Sequence, residues 1–166
     1  MILVPAAMER IFRCRIALPV YLFCLVYAIG PMLGHSCGWY YMGFHWDKVL
    51  HIFGGLAFAL FGIFLYETFG GRRECCGKRQ KLMAAAFGFF LSVAVSALWE
   101  FVEFSMDLLW QMEMQTDTIL ADGSRDIGLY DTMYDMLLES GGALLVSAGY
   151  LLAGGKNRLI RPEETI

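Results

Sequence analysis

Charge is scarce in this 166-residue chain. Asp, Glu, Lys and Arg together make up 17% of it, against 58% hydrophobic residues. A chain so poor in charge cannot hide its apolar side chains in one water-soluble core of this size. Its composition is that of an integral membrane protein. No basic patch is present, which argues against a nucleic-acid partner. The motif Cys-x-x-Cys is missing and the cysteine count is odd. Cys14, Cys24, Cys37, Cys75 and Cys76 therefore read as free thiols, with a metal or redox pair at the adjacent Cys75 and Cys76 as the alternative. No small-x-small cleavage site follows the first apolar run, so that run reads as a retained helix rather than a signal peptide. Repeats and low-complexity tracts are also lacking.

What the chain does have is four apolar segments, at about 16–33, 47–68, 82–110 and 130–153. Each is long enough to span a bilayer, and the third is long enough to tilt. The expected fold is all-α: a polytopic membrane protein with four transmembrane helices in a bundle, forming a single domain over residues 1–166. Arg10, Arg13 and Arg15 precede the first segment. Arg72, Arg73, Lys78, Arg79 and Lys81 lie between the second and third, and Lys156, Arg158 and Arg161 follow the fourth. The other two loops contain only Lys48 and Arg125. Basic residues favour the cytoplasmic side, so both termini are expected in the cytoplasm. Trp39, Tyr40, Tyr41 and Trp46 fit an interfacial aromatic belt.

The acids gather at one depth. Asp47 and His51 lie at the outer end of the second segment, four residues apart. Glu100, Glu103 and Asp107 lie in the outer half of the third, and Asp131, Asp135 and Glu139 in the outer half of the fourth. Spacings of three and four place such residues on one helix face. A carboxylate near the bilayer centre costs roughly 2.5–3.5 kcal/mol on insertion scales, which makes it a functional-site hypothesis by default. Lys48 and Arg125 are too few to neutralise seven acids. Either some acids are protonated through repulsion and desolvation, or a cation binds among them. An Asp/Glu-rich set with one histidine suits a divalent ion, with Zn, Mn, Mg and Fe not distinguished.

The expected ligands are His51, Glu100, Glu103, Asp131 and Asp135, converging across the contact between the third and fourth helices. Asp47, Asp107 and Glu139 are secondary candidates. Plainer roles stay open: Asp47 and Asp131 as helix N-caps, Asp107 as a solvated helix-end charge, Glu139 paired with a serine or backbone group, and Trp99 as packing alone.

Three motifs carry a resemblance. Asp47-Lys48-x-x-His51, Trp99-Glu100-x-x-Glu103 and Tyr130-Asp131-Thr132-x-x-Asp135-Met136 resemble the signature of YjdF-like bacterial inner-membrane proteins. Their order and spacing are also similar to those of the broader VanZ-like membrane proteins, over roughly residues 46–145. VanZ-like proteins tend to have Gln where Glu103 stands and Asn where Asp135 stands, so this more acidic chain leans to the YjdF-like side. The resemblance implies a bacterial plasma membrane and a four-helix core, and no settled activity.

The leading functional expectation is a metal-binding membrane protein at the outer leaflet. In this reading it is a metal-dependent hydrolase of a lipid-linked or envelope substrate, with Glu100, Glu103 and Asp135 catalytic and a metal-bound water as nucleophile. The lipid bilayer is its surrounding partner, and the oligomeric state stays open. The alternatives are a cation- or proton-coupled relay, and a non-catalytic subunit whose polar network fixes helix packing.

Overall fold

In a computed structural model the apolar segments are helices. The structure describes residues 10, 18–41, 45–69 and 77–154. Cys14, Cys75, Cys76, the side chain of Cys24 and most of the basic clusters behind the orientation lie outside the described residues, whereas Cys37 is a free, exposed thiol. Helix α1 covers Leu18–Ser36 with Pro31 inside it, and a 3-10 turn follows at Trp39–Tyr41. Helix α2 is Trp46–Phe69, α3 is Lys78–Trp110 and α4 is Leu129–Leu152. Between α3 and α4 lies a small antiparallel hairpin, β1 (Thr118–Ile119) with β2 (Arg125–Asp126), which pairs Thr118 with Asp126.

Local chemistry sets the helix ends at this loop. Helix α3 stops where Gln111 turns left-handed at φ 52°, its N–H still donating to the Asp107 carbonyl. The Asp107 carboxylate then accepts the backbone N–H groups of Met114 (2.6 Å) and Gln115 (2.9 Å). Asp107 is thus a fold-back anchor rather than the solvated helix-end charge expected, because it satisfies backbone donors that the turning chain leaves free. Gly128, at φ 76°, precedes α4, and a Cβ there would meet the Gln115 side chain at 2.9 Å. The first turn of α4 is held by Asp126, which accepts the Tyr130 N–H at 2.8 Å. Asp131 is therefore not the N-cap.

Helices α2, α3 and α4 pack against one another, with α1 set against α2. The Trp46 indole N–H ties this outer helix in by donating to the Gly30 carbonyl at 3.0 Å. The buried core is built of small residues, among them Ala57, Ala59, Ala84, Ala85 and Ala143, around Ile63. Small residues let helix backbones approach closely. A Cβ on Gly55 would lie 2.0 Å from the Glu139 carbonyl oxygen, and one on Gly142 would lie 2.6 Å from that of Ile52. The backbones of α2 and α4 therefore touch at this crossing.

Outward-facing side chains are large and apolar, including Phe90, Leu98, Phe101, Leu108, Leu137 and Leu145. Helices α2 and α3 are long and apolar enough to cross a membrane, each containing an 18-residue stretch of mean hydropathy 2.1 and 2.0 respectively. At 33 residues, α3 is about 50 Å long, more than the hydrocarbon thickness. The protein is an all-α membrane bundle.

Candidate metal centre

The start of α2, the end of α3 and the start of α4 meet at one end of the bundle. This is where the acids lie. Asp47 is in the first turn of α2, with Lys48 beside it and His51 one turn on. The Lys48 ammonium donates to Asp131 Oδ1 (2.5 Å) and Asp135 Oδ2 (2.6 Å) on α4, and lies 3.4 Å from Asp47 Oδ2. The low count of bases thus undervalued Lys48: one flexible stem reaches three carboxylates on two helices. Arg125 pairs with Asp117 in the loop instead.

His51 is almost wholly enclosed. Its Nε2 faces Asp47 Oδ1 at 3.7 Å and Asp135 Oδ2 at 3.9 Å, while its Nδ1 faces Glu139 Oε2 at 3.4 Å. One ligand atom each from Asp47, His51 and Asp135 lies within 4.8 Å of the others. Glu139 therefore has the imidazole as partner, not the serine or backbone group expected. Asp47 does not act as a cap: its two oxygens look to His51 and Lys48.

The grouping differs from the expected five-residue set. Asp131 uses one oxygen for Lys48 and the other for the Thr116 N–H at 2.9 Å, so it is fully engaged outside the His51 group. Glu103 accepts the Trp99 indole N–H at 2.7 Å, which gives Trp99 a polar role beyond packing. Glu103 feels the charges of Asp47, His51 and Glu100 but is not within ligand distance of the triad. Glu100 is 3% exposed and has Thr132 and Gln115 as its hydrogen-bonding neighbours, within range of the charges of His51 and Asp131. Gln115 and Thr132 stand beside it and bond each other, Gln115 Nε2 donating to Thr132 Oγ1 at 2.6 Å. Neither of these residues was picked out from sequence. Thr132 stood inside a quoted motif, whereas Gln115 lies in a loop without periodicity.

The cluster is over-supplied with acid. Among the described residues, Asp47, Glu100, Glu103, Asp131, Asp135 and Glu139 face one lysine and one histidine. Asp135 and Glu139 are each 0% exposed, and each keeps one oxygen without a hydrogen-bond partner among the described residues. At the mouth, burial and then the charges of Asp47 and Glu103 push the Tyr40 phenol up to about 12. A phenol held protonated above this acidic mouth is a hydrogen-bond donor at all ordinary pH.

Residues 1–155 match the family model described as "Predicted membrane protein (DUF2238)". The chain belongs to that family. A relative from Thermotoga maritima, named "Uncharacterized protein", is 29% identical over 108 residues, which cover 65% of this chain and 48% of the relative. The chain thus spans about half the length of that curated relative. No solved structure matches. For this DUF2238 chain the chemistry has to be argued from the residues themselves. Two carboxylates and an imidazole within a few ångströms form a mixed oxygen–nitrogen donor set, which suits Mn, Zn, Fe or Mg and not a soft ion.

Proposed function

We propose that this DUF2238 chain is a divalent-metal-binding membrane protein of the bacterial plasma membrane. In this reading Asp47, His51 and Asp135 are the ligands. The observation that carries it is the arrangement around His51. The ring turns Nε2 toward two carboxylates while Glu139 stands behind Nδ1. Metal-bound histidines almost always have such a carboxylate or carbonyl behind the other ring nitrogen, because it fixes the tautomer and raises basicity. Ligand atoms around one ion at about 2.0–2.2 Å would lie somewhat over 3 Å apart, so the 3.7 and 3.9 Å between His51 Nε2 and the two aspartates need only a small contraction.

Orientation follows from the sorted basic residues: four spans, both termini cytoplasmic, and the site at the outer leaflet. The kinship with YjdF-like proteins, and the wider one with VanZ-like membrane proteins, belongs to the same reading. Asp47 is 34% exposed, so the ion enters from the mouth. An ion held there would supply an acidified water for hydrolysis of an ester or phosphoester of a lipid-linked or envelope substrate, in which the ester bond breaks and the leaving alcohol gains the proton the water gives up. Glu103, near Asp47 and His51, would take that proton from the water. A relay through the bundle is less favoured. Below the site Ile63, Ala59 and Ala143 are all at 0% exposure, and the buried hydroxyls of Ser92 and Ser147 are taken up by the backbone carbonyls of Gly55 and Ala85.

The test is metal content of protein purified in mild detergent, by elemental analysis. About one Mn, Zn or Fe per chain is expected. His51→Gln should abolish it, and Glu139→Gln should weaken affinity about 10–100-fold. Equal metal content in wild type and His51→Gln would refute the site.

A further inference from the structure

The hairpin between α3 and α4 turns an apolar face away from the bundle. Thr118 and Asp126 pair across it and are half-buried, so the residues that follow them, Ile119 and Ile127, point the other way. Ile119 is 77% exposed and Ile127 83%. The acids of this segment are turned to partners of their own. Asp117 meets the charge of Arg125, which stands opposite Ile119. Asp122 accepts the Ser124 hydroxyl at 2.6 Å, and Asp126 holds the Tyr130 N–H. The polar groups are thus satisfied within the loop, while the isoleucines are presented outward.

Both stems of the loop carry exposed aromatics. Trp110 is the last residue of α3 and Tyr130 the second of α4. Trp and Tyr gather at the headgroup level of a bilayer. One turn or two further into the bundle, Leu108 and Leu137 point outward as lipid-facing side chains do. The headgroup level therefore crosses both stems. Ile127 is three residues from Tyr130, which keeps it within about 10 Å of that level even for fully extended chain. Interfacial amphipathic helices bury their apolar faces about 5–10 Å into the same boundary.

We propose that the hairpin lies on the bilayer, with Ile119 and Ile127 seated among the headgroups and upper acyl chains on the side of the acidic cluster. Its outer face continues the lipid-facing surface of α3 and α4 through Trp110 and Tyr130, which makes lipid its occupant rather than a second protein chain. The root of the hairpin is tied to the cluster. Thr116 donates its N–H to Asp131 at 2.9 Å, and Asp131 in turn accepts from Lys48. Seating the hairpin therefore holds the mouth of the cluster at the lipid surface. This depends neither on a bound metal nor on which leaflet the cluster faces.

The full chain, with isotope-labelled isoleucine methyls, is placed in phosphatidylcholine nanodiscs. Ile119→Leu and Ile127→Leu identify the two methyl signals by their loss. A lipid carrying a doxyl group high on its acyl chain should broaden both signals, and more strongly than a soluble gadolinium chelate does. Broadening by the chelate and not by the lipid would put the hairpin in water and overturn the proposal. Signals spared by both reagents would mean that protein covers the face, and would overturn it equally.

Discussion

Replacing Lys48 by methionine is the sharpest probe of how the acidic cluster is held together. Methionine keeps an unbranched apolar stem and removes the charge. The Lys48 side chain is 24% exposed, and its ammonium makes contacts of 2.5 and 2.6 Å with Asp131 and Asp135, whose side chains are 8% and 0% exposed. Removing one partner of a buried ion pair costs about 3–5 kcal/mol, because the remaining charge stays buried and uncompensated. At about 2–4 °C per kcal/mol for a chain of this size, metal-free Lys48→Met should melt about 10 °C below wild type. Added manganese should recover much of that loss, since an ion at Asp135 supplies the missing positive charge, and it should bind the variant more tightly than wild type. The assay is thermal unfolding in detergent, with EDTA and then with a manganese titration. If Lys48 were only a surface partner, worth at most about 1 kcal/mol, the metal-free shift would stay under about 4 °C. That result, or weaker manganese binding in the variant, would refute the reasoning.

Other outcomes test other parts of the structure. Gly55→Ala and Gly142→Ala should each cost about 1–3 kcal/mol or more, because the new Cβ meets backbone at 2.0 and 2.6 Å; Gly141→Ala, with nothing within 4 Å among the described residues, should be neutral or stabilising by up to about 1 kcal/mol in the same melts. Asp107→Ala should loosen the α3–α4 loop, read as faster amide exchange at Met114 and Gln115, since both N–H groups lose their acceptor. Tyr40 is held protonated above its ordinary value, so the folded protein keeps a proton that the unfolded chain loses; stability should fall as pH rises from 10 towards 12, and Tyr40→Phe should flatten that slope. An impermeant thiol reagent on intact cells should label Cys37 and spare Cys75 and Cys76; labelling at Cys75 would reverse the orientation.

The helices were legible because hydropathy and length decide them, and the acids were legible because carboxylates are out of place in such segments. The partners within the cluster were less so. Helical spacing gives faces but not the rotation of one helix against the next, so Glu100 and Asp135 could be placed at one depth without being placed at one ion. Lys48 was misjudged for a related reason. Counting charges treats a lysine as one partner, whereas its stem lets one ammonium lie between Asp131 and Asp135 on another helix. The roles of Asp107 and Gln115 depend on a loop whose path is set by the positive-φ turns at Gln111 and Gly128, and no periodicity reports that. Trp99 and Glu103 were quoted in one motif, yet their hydrogen bond depends on a rotamer that spacing leaves open.

The crossing at Gly55 and Gly142 makes α4 a lever with a fixed pivot. Glu139 lies three residues from Gly142, Asp135 seven and Asp131 eleven, or about 4.5, 10 and 16 Å along the axis. A 5° swing of α4 about that pivot moves these positions by about 0.4, 0.9 and 1.4 Å, from the same rise per residue. The pairing of Glu139 with His51 therefore survives small motions that part Asp131 from Lys48. The mouth can loosen by more than an ångström while the imidazole keeps its heading.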